Sequence, residues 1–425
     1  MSFCNYLASE VFSGELPHNS ILCVDMKSFY AGIECAERGL DPFTTSLAVV
    51  GDRSRSGSVV LAASPALKKK YGIKTGNRLY EIPQKNDIKI VEARMGVYVC
   101  MSVKITELLG SFVPLEAIHV YSIDESWLKL DGTERLWGDK WETARKIKRA
   151  LREKYDLYCS MGLGPNMFLA KVAMDVEGKK KGLVEWDYEA VPDKLWPLPV
   201  GECWGIGSRL EKQFKHLGIE TVGQLAQLSR EYLENRFGIM GSQLYYHAHG
   251  IDLSEVQGQY EHSPKNIGRG ITLFRDYTEH RQIETVIFDL SELVAGRVRE
   301  YNLLGKTVGL GVGYSRSELK GGFYRQHTRS QYTGLVSDIY QTCLQLMAEN
   351  YEGQAVRQVR VTLGNFIADS SLQLNLFRRG KVKKLKLAEI KDQLEEKFGS
   401  RSLFYARSLL PGSVRKRLKN TIGGH

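Results

Sequence analysis

Ile21-Leu22-Cys23-Val24-Asp25-Met26-Lys27-Ser28-Phe29-Tyr30 and, about a hundred residues on, Ile118-His119-Val120-Tyr121-Ser122-Ile123-Asp124-Glu125-Ser126 are the two stretches that decide how this chain folds. Each runs from apolar, strand-like residues straight into carboxylates. An isolated buried carboxylate is expensive to ionise. Three of them converging on one place makes sense when divalent cations sit between them. Mg²⁺ takes a few carboxylate oxygens together with substrate phosphates, and two such ions about 3.5–4 Å apart can clamp an in-line phosphoryl displacement. Asp25, Asp124 and Glu125 therefore point to metal-dependent phosphoryl or nucleotidyl transfer. The plainer reading of either string alone is an acid capping a strand end or closing a turn.

Outward from these strings the pattern alternates. After the first strand, residues 29–38 read as a helix. Residues 47–51 and 58–63 read as strands around a basic, Gly/Ser-rich turn, and Pro65–Tyr71 as a short helix stopped by Gly72. Residues 96–112 read as a helix with Val99, Val103 and Leu108 on its apolar face. Residues 116–123 and 126–131 pair as a hairpin with Asp124-Glu125 at its turn. A helix (141–155), a strand (158–164) and a helix (166–176) follow. This β-α-β-β-α-β order predicts a ferredoxin-like sheet with helices on one face and the acids on the other.

A boundary is expected at 186–199, where Trp and Pro cluster. Beyond it, Gly205-Ile206-Gly207 lies between helical segments of 200–228. The spacing is that of a helix-hairpin-helix, whose glycine-rich turn would offer N–H groups to a phosphate, or of an ordinary helix connection. Residues 257–265 read as a polar linker. Residues 267–367 read as a further α+β unit, with strands at 268–274, 307–313 and 356–364 and helices at 284–301 and 334–351.

A chain of 425 residues exceeds one ordinary core, and 43% apolar with 25% charged residues is a globular composition. The net charge of +10 sits at one end: residues 378–425 hold 14 basic and 4 acidic side chains, leaving 45 of each over 1–377. A nucleic-acid groove in the body must therefore come from local clustering. Seven scattered cysteines without a CxxC read as reduced thiols, which excludes a disulfide framework and a cysteine zinc site. No stretch has the length and hydropathy of a membrane span, and the first residues lack a signal-peptide pattern, so a cytoplasmic protein is expected.

Asp25-Met26-x-Ser28-Phe29-Tyr30 together with Ser122-Ile123-Asp124-Glu125 resembles the signature of the Y-family (translesion) DNA polymerases, in its bacterial UmuC/ImpB/MucB-like branch. The likeness runs from about residue 21 to 377. It implies an α+β multidomain right-hand polymerase: a ferredoxin-like palm (1–36 and 96–186, with an N-terminal extension over 1–19), small fingers (37–95), a helical thumb with the helix-hairpin-helix (187–256), an α+β little finger (262–369), and a clamp-binding peptide with a basic tail (370–425). The implied activity is template-directed, error-prone synthesis past damaged bases in the bacterial nucleoid, without proofreading. Its implied substrates are primed DNA and dNTPs, with two Mg²⁺ ions as cofactor.

Carried onto this chain, the resemblance makes Asp25, Asp124 and Glu125 the catalytic metal ligands, with the Met26 carbonyl as a further one. Tyr30 becomes the gate whose ring leaves no room for a ribose 2′-hydroxyl; without the family it reads as a core tyrosine. Phe29, expected mainly in the core, is counted with Lys68, Lys69 and Lys179 among the nucleotide-binding positions, although runs of three lysines are usually solvated surface. The fingers depart from the common Asn-Tyr-x-x-Arg pattern. Here Ser64-Pro65-Ala66-Leu67-Lys68-Lys69 offers no tyrosine and no arginine fork. Lys69 and Lys179 are the best register matches to the phosphate contacts.

DNA contacts are expected at Gly205 and Gly207, and at Lys265, Gly268 and Arg269 where the little finger opens. Gln373, Leu374, Leu376 and Phe377 resemble the bacterial sliding-clamp-binding pentapeptide, which fills an apolar pocket from an extended strand; alone, five residues also read as a plain β edge. The tail beyond it, with Leu387, Ile390, Leu394 and Phe398 on one face, reads as a helix docked on the body or as an arm for DNA or protein. Some UmuC-like proteins work with a UmuD-like subunit, which adds a further expected partner. The rival readings are a catalytically silent DNA- and clamp-binding accessory repair protein and a nucleotide cyclase, whose palm also carries metal-binding acids.

Overall fold

The computed structural model describes residues 3–7, 11–12, 14–256, 264–319, 321–371, 379–399 and 402–415, and the chain divides into two units, Met1–Tyr260 and Glu261–His425. The first unit is organised by β1 (Ile21–Met26), apolar at every position but Asp25 and buried along nearly its whole length, as a strand covered on both faces must be. It is the middle strand of a five-stranded sheet. On one side it pairs antiparallel with β6 (Glu125–Lys129), itself joined to β5 (Ile118–Val120). On the other it pairs with β7 (Cys159–Gly164), which carries β8 (Leu183–Glu185) in parallel. The β7–β8 pair is an addition to the expected ferredoxin-like order; the three residues of β8 are too short a run to read from pattern.

Side chains alternate across a strand, so β1 serves two layers. Leu22, Val24 and Met26 enter the main core with Tyr98, Ile105 and Leu109 of the helix Met95–Leu109 and Ile147 and Leu151 of the helix Lys140–Tyr155. The second of these helices starts on a capping box between Asp139 and Glu142. Ile21 and Cys23 point the other way, onto Trp127, Met167, Ala170 and Met174. Asp25 continues this second row. The expected arrangement is thus corrected: the acids share their face with the helix Met167–Ala173. It can approach because β7 carries glycine there, where a Cβ on Gly162 would stand 2.2 Å from the Ala170 carbonyl oxygen.

The expected apolar face of the helix Met95–Leu109 is also corrected. Val99 and Val103 are 40% and 52% exposed, while Tyr98, Ile105 and Leu109 are buried. Two apolar stripes compete on this helix, and the sheet selects the one that includes an aromatic.

Between β1 and that helix lie α1 (Phe29–Ala36), then β2 (Ser46–Val50) and β3 (Val60–Ala63), then α2 (Pro65–Tyr71), capped by the Ser64 hydroxyl, and finally β4 (Ile88–Glu92). Strands β3, β2 and β4 form a small sheet with its own core around Val50, Val60 and Leu67. The helix Met95–Leu109 is α3, Lys140–Tyr155 is α4 and Met167–Ala173 is α5. Residues 200–251 add α6 (Ser208–His216), α7 (Val222–Ala226), α8 (Arg230–Phe237) and α9 (Ile239–Ala248). Phe214, Val222 and Leu244 share one buried cluster with Phe168 and Leu169 of α5 and with Leu7 and Leu16 near the N-terminus.

The second unit is a four-stranded antiparallel sheet of order β11-β10-β12-β9. Its strands are β9 (Asn266–Tyr277), β10 (Leu303–Tyr314), β11 (Gly322–Thr333) and β12 (Val356–Ala368). The helices α10 (His280–Glu300) and α11 (Val336–Asn350) pack against it. Strand β11 is an edge strand, exposed at most positions, and shows no apolar alternation in sequence.

The tail helix α12 (Arg379–Phe398) docks on this unit, but through charge. The Arg299 guanidinium donates to Asp392 at 2.6 and 2.9 Å, and Lys391 pairs with Glu292 at 2.8 Å, while Leu387, Ile390 and Phe398 stay exposed. The buried Asp289 carboxylate then accepts bonds from the Ser408 and Ser413 hydroxyls and the Val414 and Arg415 N–H groups. Among the described residues no helix is long and apolar enough to cross a membrane.

Candidate active site

Asp25 and Glu125 are direct partners in the β1–β6 register, so their side chains leave the sheet on the same face. Asp124 precedes Glu125 at the end of the hairpin turn. Its carbonyl accepts the Met26 N–H at 2.9 Å, and its carboxylate accepts the Ser122 hydroxyl at 2.7 Å. Burial pushes the Asp25 carboxyl up to about 6; Lys179 opposes this, and the charges of Asp124 and Glu125 add to it. Three carboxylates here repel one another, a donor set suited to a hard divalent cation. Glu125 is meanwhile committed elsewhere. Its Oε1 pairs with Lys171 Nζ at 2.6 Å, both side chains being about nine-tenths buried, and accepts the Cys23 thiol at 3.4 Å. Accordingly, no three His, Cys, Asp or Glu side chains among the described residues are already gathered at metal-binding spacing.

Lys171 begins an alternating line of charge. Its Nζ lies 3.2 Å from Asp175, and the other Asp175 oxygen lies 2.7 Å from Lys179 Nζ. Residues 171, 175 and 179 align because the chain stays helical past α5, through a wider turn at Met174–Gly178 into Lys179–Lys181. Lys179 was expected in a loop; it closes this helix, and its carbonyl accepts Lys27 Nζ at 3.1 Å. Burial lowers the proton affinity of Lys171, but the hydrogen bond to Glu125 and the surrounding acids outweigh it and hold the ammonium above its ordinary range.

Ser28 sits at φ 51°, the left-handed conformation, between β1 and α1. That turn leaves the first N–H groups of α1, those of Phe29 and Tyr30 included, without intrahelical acceptors. Phe29 itself is buried in the core, as its side chain was expected to be, which leaves its N–H at the opening of α1 as the group that could face a nucleotide. Tyr30 is half-buried, stacked on Tyr98 at 4.4 Å between ring centroids. Burial raises its hydroxyl's affinity for its proton, with Asp124 adding to the effect. In the fingers, Lys68 is the lysine aimed at the acids: its Nζ donates to the Ser28 hydroxyl at 2.9 Å, and it is electrostatically coupled to Asp25 and Lys179. Lys69 makes none of these contacts, and Lys70 pairs with Asp87.

Gly205 takes φ +93° and Gly207 caps α6 without a side-chain partner, leaving the helix N-terminus open. The element before this turn is a single 3-10 turn, Val200–Glu202. In the second unit Lys265 is exposed. Gly268 lies so close to β12 that a Cβ would meet Thr362 at 2.7 Å. Arg269 falls on the same face of β9 as Ile267 and Leu273 and is half-buried, with burial and the nearby Arg297 lowering its proton affinity. Gln373, Leu374, Leu376 and Phe377 lie outside the described residues.

Sequence reasoning missed Lys171, Asp175, Glu34 and Tyr98. The signal for Lys171 was a lone cation inside an otherwise apolar helix, Met-Phe-Leu-Ala-Lys-Val-Ala.

Residues 24–175 match the impB/mucB/samB family, 264–376 its C-terminal domain and 188–219 its helix-hairpin-helix motif. A Bacillus subtilis protein named for UV-damage repair, UvrX, is 46% identical over 97% of this chain and 98% of its own length. A protein named DNA polymerase IV 2 from Halalkalibacterium halodurans is 35% identical over 95% of this chain and 98% of its own. DNA polymerase IV of Moorella thermoacetica is 37% identical over 93% and 97%. A solved chimera of the Y-family DNA polymerases Dbh and Dpo4 shares the fold with a TM-score of 0.66, covering 82% of this chain and 99% of its own at 22% identity. The architecture is that of a right-hand polymerase. The chain belongs to the impB/mucB/samB family, that is, to the Y-family of DNA polymerases.

Proposed function

We propose that this chain is a lesion-bypass polymerase that joins a dNTP to a primer 3′-hydroxyl at the acidic face of β1 and β6. Family membership makes it a DNA-directed DNA polymerase acting in DNA repair, with primed DNA and dNTPs as substrates. The observation that carries the site is the register of Asp25 against Glu125, with Asp124 tied to Met26 by a main-chain bond and Lys68 and Lys179 beside it.

Asp25, Asp124 and Glu125, with the Met26 carbonyl, would hold two Mg²⁺ ions. Bound there, the ions would lower the pKa of the primer hydroxyl and offset charge on the departing pyrophosphate. The chain's own contributions are distinct. Lys68 and Lys179 both act electrostatically on Asp25 and would take the triphosphate, trading their present partners Ser28 and Asp175 for phosphate oxygens. The open N–H groups at the start of α1 add neutral donors. Tyr30 would stack beneath the deoxyribose and leave no room for a 2′-hydroxyl. The α6 N-terminus behind Gly205 and the exposed strand opening at Lys265 and Gly268 would grip DNA phosphates without reading sequence. Residues 373–377 would engage the sliding clamp. The partition into palm, fingers, thumb and little finger follows the same reading, with palm and thumb joined through the shared core around Phe168 and Phe214.

The test is primer extension by the purified chain with Mg²⁺ and four dNTPs, on undamaged and lesion-bearing templates, beside Asp124→Ala. Wild-type extension with loss in the variant, at near-normal DNA binding, is expected; extension by the variant would refute the assignment. A silent accessory protein would extend with neither.

A further inference from the structure

Beneath Tyr30 lies a buried polar assembly that neither metal nor triphosphate binding explains. Tyr98 is fully buried and carries the Tyr30 ring at a centroid distance of 4.4 Å and an angle of 12°. Its hydroxyl donates to Glu34 Oε1 at 2.7 Å. Glu34 is also fully buried, one helical turn along α1 from Tyr30 and on the same face. The Arg94 guanidinium grips both Glu34 oxygens, Nε at 2.9 Å and Nη2 at 2.8 Å, and Arg38 closes on the same carboxylate. Arg94 is the residue that opens α3, so the assembly joins the last turn of α1 to the start of α3 and pins the far end of the Tyr98 ring.

Such an assembly is poorly explained by stability. The bonds from Arg94, Tyr98 and Arg38 outweigh the desolvation of the Glu34 carboxylate and keep it ionised, but well-packed apolar groups of the same volume would hold the helices together as well or better. What it supplies is one fixed geometry. A ring that must exclude a single oxygen atom requires that: a displacement of about 1 Å decides whether a 2′-hydroxyl fits. Tyr30 stacks on Tyr98 and is only half-buried, so its tilt depends on how firmly the Tyr98 ring is held.

We propose that Glu34, acting through Tyr98 and held by Arg94 and Arg38, positions the Tyr30 ring and thereby sets discrimination between deoxyribo- and ribonucleotides. This rests on Tyr30 being the sugar gate. Glu34 and Tyr98 are positioning residues; neither touches the nucleotide.

The experiment measures kcat/KM for a dNTP and its matching rNTP on one primed template, for the wild type, Tyr30→Ala, Tyr98→Phe and Glu34→Gln. Tyr30→Ala should collapse the dNTP:rNTP ratio by about 100-fold. Tyr98→Phe keeps the stacked ring and loses only the hydroxyl anchor; it should lower the ratio about three- to tenfold. Its kcat/KM for dNTP should stay within about twofold of wild type. Glu34→Gln should match it. An unchanged ratio in Tyr98→Phe, beside a collapsed one in Tyr30→Ala, overturns the positioning role and leaves the gate standing. An unchanged ratio in Tyr30→Ala overturns the gate and the proposal with it. Equal losses on both nucleotides in Tyr98→Phe mean a structural role only, which also overturns it. Tyr98→Phe decides the matter even where Glu34→Gln fails to fold.

Discussion

Asp25→Asn should stabilise the metal-free protein while abolishing synthesis. The Asp25 carboxyl, ordinarily ionising near 3.8, is held up at about 6, chiefly by burial and then by Asp124 and Glu125. A folded value above the unfolded one means that the native state keeps a proton the unfolded chain releases. The stabilising contribution is therefore complete below about pH 4 and lost as pH rises through 6. At neutral pH the ionised carboxylate costs the fold about 3 kcal/mol. Asparagine keeps the shape and carries no charge. In EDTA, the variant should match the wild type near pH 4 and melt higher above pH 7, by about 6 °C for a unit of this size. Mg²⁺ should close the gap from the wild-type side, since only the acid gains from the cation. The assay is thermal unfolding from pH 4 to 8, with and without Mg²⁺, beside primer extension. Equal melting temperatures at pH 8 in EDTA, or a difference that does not change with pH, would refute the reasoning.

Two further outcomes follow from the cations around the site. Lys171→Met strips Glu125 of its buried partner and should cost the metal-free protein about 3 kcal/mol; because Mg²⁺ can then take the vacated role, the Mg²⁺-induced rise in melting temperature should exceed that of the wild type, and an equal rise would contradict the pairing. In the fingers, Lys68→Ala should raise KM for dNTP about tenfold, the usual scale for one charge-assisted phosphate contact, and Lys69→Ala should leave it near wild type; steady-state single-nucleotide insertion distinguishes them, and the reverse order would restore Lys69 as the contact.

How much of this was legible in the sequence depended on the range of the interaction that fixed each element. The acid-bearing strands were readable because an apolar run ending in carboxylates is a local pattern, and β1 shows it along its whole length. The small sheet of β2, β3 and β4 was half-readable: β4 is strand only by parallel pairing with β2, a partner about forty residues away. Strand β11 was unreadable, since an exposed edge need not alternate. On α3, periodicity allowed two apolar faces and gave no means to choose. The error there mattered, because the face the sheet buries, which the sequence pattern passed over, is the one that holds Tyr98.

The same contrast separates the two halves of the candidate site. The acids, Tyr30 and the lysine runs sit in short motifs that can be recognised without a fold. Glu34 and Lys171 do not. Each is a single charge inside an apolar helix, and each is buried only because a second element brings a counter-charge: Arg94 from the start of α3, Glu125 from β6. A lone ionisable residue in such a setting reads locally as an imperfection in an amphipathic pattern. Its desolvation cost marks it as more than that, because a chain retains a buried charge at several kcal/mol per ion only where a partner is guaranteed. Here one guaranteed partner leads through Tyr98 to the proposed gate, Tyr30, and the other to the acids. The residues proposed to touch substrate could thus be anticipated from motif. Those that hold them in place could be found only once the helices and the sheet had been brought together.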